Sequence, residues 1–198
     1  MAREASSVNR LPSSSRTGAR LSPEARRRQL VTAAMPVAAR GGLSELPLEA
    51  VSARAGVTRN LLYHYFPRGR RDLALAVLTE AERQLDLAEP GPSDPLPRML
   101  DHALAPTHAW RIHRWAAAAP DPEIREIAGQ AADQLALRLA LVHLSTPDPG
   151  ALRMTALRGY VAFAETALDS GRALGLPRSA LLGLLGRTLR ATLDAARG

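Results

Sequence analysis

An all-α fold is what this sequence predicts, on three observations. Its apolar mass is mainly Ala and Leu, with hydrophobic residues at 46% and aromatics at only 4%, a balance that favours helix over strand. Apolar residues recur at three- and four-residue spacing between Pro and Gly punctuation. No run alternates apolar and polar residues as a strand or hairpin would, and no segment repeats at a fixed period.

Residues 1–20, rich in Ser and Arg with few large apolar side chains, are expected to form a disordered basic tail. Structure is expected to start at Ser22, a good N-cap, followed by Pro23 at the first helical position and Glu24 at the positive end of the dipole. Leu30, Ala34, Val37 and Ala38 lie on one face, and Gly41 and Gly42 close the helix. Pro36 removes a backbone hydrogen bond and is expected to kink the last turn. Pro47 opens a short helix to about Ala55, Gly56 breaks it, and Thr58 caps a second helix through Tyr65. Two short helices around a Gly-containing turn make a helix-turn-helix pattern. That pattern needs apolar residues inside at Val51, Ala55, Val57 and Leu62 and a small residue between the helices, here Ser52.

A long amphipathic helix is expected from Arg70 to about Ala88, with Leu73, Val77, Leu78, Ala81 and Leu85 on one face. The Pro-rich stretch 89–97 marks a boundary. Helices are then expected over 96–105, 106–119, 122–145, 150–171 and 177–196. In the last two, Leu157, Tyr160, Val161, Ala164 and Leu168, then Leu181, Leu182, Leu185 and Leu189, form stripes, and Gly183 and Gly186 permit close approach.

Composition narrows the function. The 198 residues suit one compact domain or a small domain joined to a larger one. There is no Cys, and all 26 basic residues are Arg. A disulfide scaffold, a thiol nucleophile, a zinc finger, a Schiff-base lysine and a Walker P-loop are therefore excluded. Residues 1–85 carry 14 Arg against 7 acids and residues 86–198 carry 12 against 12, so the whole net charge of +7 lies in the first part. A polyanion-binding module joined to a neutral one fits this charge; so does a solvated basic surface. No apolar stretch is long enough to span a membrane. No secretory signal opens the chain, so the expected compartment is the cytoplasm.

The stretch from about Leu30 to Leu73 resembles the TetR family of bacterial transcriptional regulators. LVTAAMPVAARGGL is similar to that family's first helix, LEAVSARAGVTRNLLYHYF to its helix-turn-helix, and FPRGRRDL to its turn into helix 4. Leu46 and Pro47 stand where the family has Ser or Thr, and Arg70 takes the place of its usual Lys. The resemblance implies an N-terminal three-helix DNA-binding domain over 21–69. A long helix joins it to a C-terminal helical ligand-binding and dimerisation domain over 70–198.

A helix entering the major groove reads base edges with its N-terminal residues. Arg59, which can pair with guanine, and Asn60, which can pair with adenine, are the candidate base readers, and Thr58 offers its hydroxyl and N–H to phosphate. From the resemblance, Tyr63, His64 and Arg70 take phosphate contacts. Specificity then requires a homodimer reading a palindromic double-stranded operator, paired through the last two helices. Met99, His102, Trp110, His113 and Trp115, with Tyr160 and Phe163 opposite, are the candidate lining of a mostly apolar cavity for a small hydrophobic effector. The resemblance implies a repressor that the effector releases from DNA.

An enzyme is the first rival. The five His (64, 102, 108, 113 and 143) form no close ligand pair, Glu123, Glu126 and Asp133 read as a solvated face, and no phosphate loop or nucleophile elbow is present. No metal or cofactor is expected. The second rival is a helical ligand-binding or scaffold protein without sequence-specific DNA binding.

Overall fold

The computed structural model describes residues 21–87, 93–105 and 107–197. The basic tail 1–20 lies outside the described residues, as do residues 89–92 of the 89–97 boundary. Within them the regular elements are all helices: α1 Pro23–Gly41, α2 Leu48–Ala55, α3 Arg59–Tyr65, α4 Arg70–Leu85, α5 Pro95–Leu104, α6 His108–Ala117, α7 Pro122–Leu144, α8 Gly150–Ala173 and α9 Arg178–Ala195.

Local chemistry accounts for the boundaries. The Ser22 hydroxyl accepts the Ala25 N–H at 3.2 Å, and the Thr58 hydroxyl accepts that of Leu61 at 3.3 Å. Asp94 and Asp121 cap α5 and α7 in the same way, each followed by Pro. Gly56, with φ of 66°, ends α2 in the left-handed conformation that a β-carbon disfavours. The α1 helix runs on through Pro36 to Gly41, because the whole stretch from Met35 to Ala39 is buried and packing holds the turn that lacks one backbone bond.

α4 ends three residues earlier than its apolar pattern predicts. Asp86 turns left-handed (φ 50°), and Arg98 of α5 holds it, donating to its carbonyl at 2.9 Å and its carboxylate at 2.6 Å.

One core runs from Leu30 to Leu193. α1 packs against α2, α4 and α6; α4 packs on α6 and α7; α8 joins α7 to α9, and α5 covers α8 and α9. The stripes on the last two helices require a correction. Leu157, Tyr160, Val161, Ala164 and Leu168 of α8, with Leu181, Leu185 and Leu189 of α9, are buried in the chain's own core, so they leave no spare apolar face there. The Tyr160 hydroxyl donates to the Leu185 carbonyl at 3.0 Å. Close helix approach occurs at Gly171, where a β-carbon would collide with Leu181, while Gly186 meets open space. The large apolar side chains exposed on this part of the molecule are instead Leu152, Phe163, Leu174, Leu176 and Leu184. Among the described residues no helix is long and apolar enough to cross a membrane.

Candidate nucleic-acid interface and effector cavity

The helix-turn-helix is seated from below. Val51, Ala55, Leu62 and Phe66 are buried, and Val57 is half-buried against them. Gln29 of α1 donates to the Ala55 carbonyl at 3.0 Å and so fixes the end of α2. Ser52 is buried between the helices, the small side chain that the crossing requires. With Leu62 facing inward, the 3.6-residue period turns Asn60, Tyr63 and His64 away from the core, and Arg59, the first residue of α3, is exposed.

All six candidate DNA contacts, Thr58, Arg59, Asn60, Tyr63, His64 and Arg70, are exposed. The Arg59 guanidinium lies 2.6 Å from Glu49 of α2, donates to the Tyr63 hydroxyl at 3.3 Å and stands 5.6 Å from that ring's centre. The Tyr63 hydrogen bond and the Glu49 charge both push the Arg59 pKa up. His64 meets Tyr65 edge-on at 5.2 Å, and Tyr65 itself is half-buried against the core. Tyr63 also limits the next turn, since a β-carbon on Gly69 would come within 3.0 Å of its ring and Gly69 has φ of 62°. Arg70 begins α4 and donates to the Ser44 carbonyl at 3.4 Å. Its neighbour Arg68 is tied to Asp72, whose carboxyl the Arg68 backbone N–H (2.8 Å) and guanidinium (2.6 Å) hold below the usual carboxylate range. Of the run Arg26–Arg28, Arg26 donates to Gln29 at 2.6 Å and Arg27 stacks over Phe66.

Sequence reasoning passed over Glu49 and Ser44. Glu49 opens α2 and reads as an ordinary first-turn acid; only the crossing of α2 and α3 brings it to Arg59. At the start of α2, Pro47 occupies the cap position and supplies no side-chain hydrogen bond.

The seven candidate effector residues do not converge. Met99 is core. Tyr160 is buried, and that burial pushes its hydroxyl pKa up. Trp110 is buried with its indole N–H donating to Asp169 at 2.8 Å. His102 is half-buried on α5. Phe163 is exposed, and Trp115 is 48% exposed, one ring edge covering Gly42. Met99, Trp110 and Tyr160 are thus spent on helix packing, while Trp115 and Phe163 face outward.

Only His113 of the seven reaches a cavity of about 810 Å³ among α4, α6, α7 and α8. Its walls correct the expectation of a mostly apolar lining: Glu82, Asp86 and Glu165 face Leu87, Ala132 and Leu135. His113 is buried, with Nδ1 2.8 Å from Glu82 and Nε2 2.9 Å from Glu165. Burial pushes its pKa down, but hydrogen bonds from the ring to Glu165 and Glu82 outweigh this and raise it to about 10. Arg114 pairs with Glu165 and, at 2.8 Å, with Asp169. An ionised relay therefore joins α4 to α8 through α6. At the other end of α4, Arg71 lies 3.1 Å from Asp121 and 2.8 Å from Glu123, where α7 begins.

Residues 30–77 match the family described as bacterial regulatory proteins, tetR family. Among solved structures, the chain is similar to a tetR-family transcriptional regulator from Streptomyces coelicolor, with a TM-score of 0.73, 22% identity and coverage of 89% of this chain and 83% of that one. A TetR-like transcriptional regulator from Rhodococcus sp. RHA1 follows with a TM-score of 0.63, 21% identity and coverage of 88% and 99%. The multidrug binding protein EbrR, complexed with imidazole, gives 0.59, 23% identity and coverage of 82% and 94%. No curated protein matches by sequence. The match to that family thus covers residues 30–77, and the chain shares its fold with solved TetR-family transcriptional regulators.

Proposed function

We propose that this TetR-family chain is a ligand-responsive transcriptional regulator, a repressor, that binds a palindromic operator as a homodimer and leaves it when a small effector occupies the C-terminal part. The observation that carries the reading is the α3 face. Thr58, Arg59, Asn60, Tyr63 and His64 are all exposed on one short helix whose other side is anchored by the buried Leu62. Arg59 and Asn60 are the base readers. Thr58, Tyr63, His64 and Arg70 meet phosphate and set the register. The +7 charge of residues 1–85 adds sequence-independent attraction.

Residues 21–69 are the DNA-binding domain in this reading, and 70–198 hold the effector and the dimer contact. Dimerisation through α8 and α9 uses their outward faces, where Phe163 and Leu184 are exposed. A structural neighbour, EbrR, is described in complexes with imidazole and with malachite green, which supports an effector site in this fold. α4 carries both ends of the switch: Arg70 and Arg71 at its start, Glu82 at the cavity. An effector releases DNA only through its different affinity for two settings of α4.

The test is duplex binding to an inverted repeat taken from DNA beside the coding gene, at rising salt. Affinity is expected to fall steeply with salt and to favour the repeat over random sequence. Arg59→Ala with Asn60→Ala is expected to weaken binding to the repeat at least about tenfold, since each base pairing carries discrimination, with binding to random sequence less affected. A shallow salt slope and no preference would leave the scaffold alternative in possession.

A further inference from the structure

A surface groove between α6 and α8 lies apart from the cavity and shares no lining residue with it. Arg111, Arg114, Trp115 and Ala118 fall at three- and four-residue spacing along α6 and its cap and form one wall. Asp169 and Arg172 of α8 form the other. The charges here do not balance. Both Asp169 oxygens already accept, Oδ1 from the Trp110 indole and Oδ2 from Arg114. Arg114 is shared with Glu165. Among the described residues, Arg111 and Arg172 have no acidic partner. Along the whole relay, Glu82, Glu165 and Asp169 stand against the protonated His113, Arg114, Arg111 and Arg172, so three acids meet four cations. The surplus positive charge lies at the groove, where the two unmatched guanidinium groups are exposed.

Trp115 is a second, independent feature of the same groove. The chain has two Trp, and this one is 48% exposed. One edge of its ring rests against Gly42 at the end of α1, which holds the indole in place. A fixed aromatic face beside free guanidinium groups suits a planar body that carries an acid. A guanidinium pairs with a carboxylate through two parallel hydrogen bonds, and an indole takes a flat ring by offset stacking.

We infer that the α6–α8 groove binds a monoanionic organic acid with a flat aromatic body, its carboxylate set against Arg111 and Arg172 and its ring against Trp115. The groove's volume of about 460 Å³ lies within the range usual for small-molecule sites. One carboxylate matches the one surplus charge, whereas Asp169 in the wall works against a run of phosphates. The site lies outside the cavity and involves no DNA, so it goes beyond the regulatory reading and does not depend on it.

The probes 2-naphthoate and 2-naphthamide share a shape, and only the first is charged. In the isotope-labelled full chain, without DNA, naphthoate is expected to shift the Trp115 indole N–H resonance to saturation; Trp115→Phe identifies that signal by its loss. Titration calorimetry is expected to show naphthoate binding at least about tenfold tighter than the amide. Arg111→Gln with Arg172→Gln is expected to bring the two affinities within about threefold. The net charge of +7 attracts any anion, so Arg28→Gln with Arg54→Gln, an equal loss of charge at exposed positions elsewhere, is the control and is expected to keep the preference. Ala118→Glu, which places a fixed carboxylate in the groove, is expected to abolish it, and covers the case in which the Arg111 and Arg172 variant fails to fold. Equal affinities, no binding of naphthoate, binding that leaves the Trp115 signal in place, a preference that survives both groove variants, or one lost equally in the control overturns the inference. Duplex affinity measured alongside bears on the regulator alone: a chain that takes naphthoate at Trp115 but ignores DNA keeps this site and loses that function.

Discussion

At the tip of α3 and at the meeting of α4, α6 and α8 the chain sets ion pairs of similar length in opposite surroundings. Arg59 and Glu49 lie 2.6 Å apart, each side chain more than half exposed. His113 lies 2.8 Å and 2.9 Å from Glu82 and Glu165 with its own side chain 5% exposed. Water competes for the first pair and salt screens it, so Arg59 is free to exchange Glu49 for another partner, a base edge in the proposed reading. Nothing replaces the partners of the second. Removing one leaves a charge in a medium that solvates it poorly. The same contact is therefore exchangeable at the tip of α3 and a structural joint at the cavity end.

Breaking the joint has the largest expected effect. His113→Ala leaves Glu82 and Glu165 facing each other without their shared cation, and is expected to cost about 3–5 kcal/mol in a urea unfolding experiment. A loss below about 1 kcal/mol would place the joint with the surface pairs. The next effect is on pH. The His113 pKa is raised from 6.5 to about 10, so its contribution is fully present below pH 6.5 and is lost as pH rises through about 10. Thermal unfolding midpoints are expected to decline across that window in the wild type, and to decline less in His113→Gln, which cannot titrate. The smallest effect belongs to the tip. Glu49→Gln is expected to leave the unfolding midpoint where it is, while binding to random duplex tightens modestly because an acid has left the surface proposed to face phosphate. A marked drop in the midpoint would show that the tip, too, depends on its ion pair.

The two regions also differed in how far they could be read in advance. Around Gly56 each rule is local. A cap reaches three residues, a left-handed turn needs one Gly, and Leu62 lies inside because it falls on the apolar face. Thr58, Arg59 and Asn60 follow from that register, Tyr63, His64 and Arg70 from the family resemblance, and each of the six stands exposed. Of the seven residues expected to line an effector cavity, only His113 reaches this space. Met99, Trp110 and Tyr160 lie in the core, and the acids that line the space, Glu82 and Glu165, stand out in no local sequence pattern. The end of α4 failed for a related reason. Its apolar pattern points past Leu85, but Arg98, twelve residues beyond Asp86, captures that residue in the left-handed turn.

The order and type of the helices, the caps that open them and the outward face of α3 lie in the amino-acid order, because backbone hydrogen bonding and apolar periodicity act over about four residues. The burial of the α8 and α9 stripes within one chain, the pairing of Arg59 with Glu49, and the joint of His113 with partners 31 and 52 residues away came from packing. Which side chains meet across three helices depends on each helix's rotation and crossing angle. Those are set by the fit of the whole core, which no local spacing encodes.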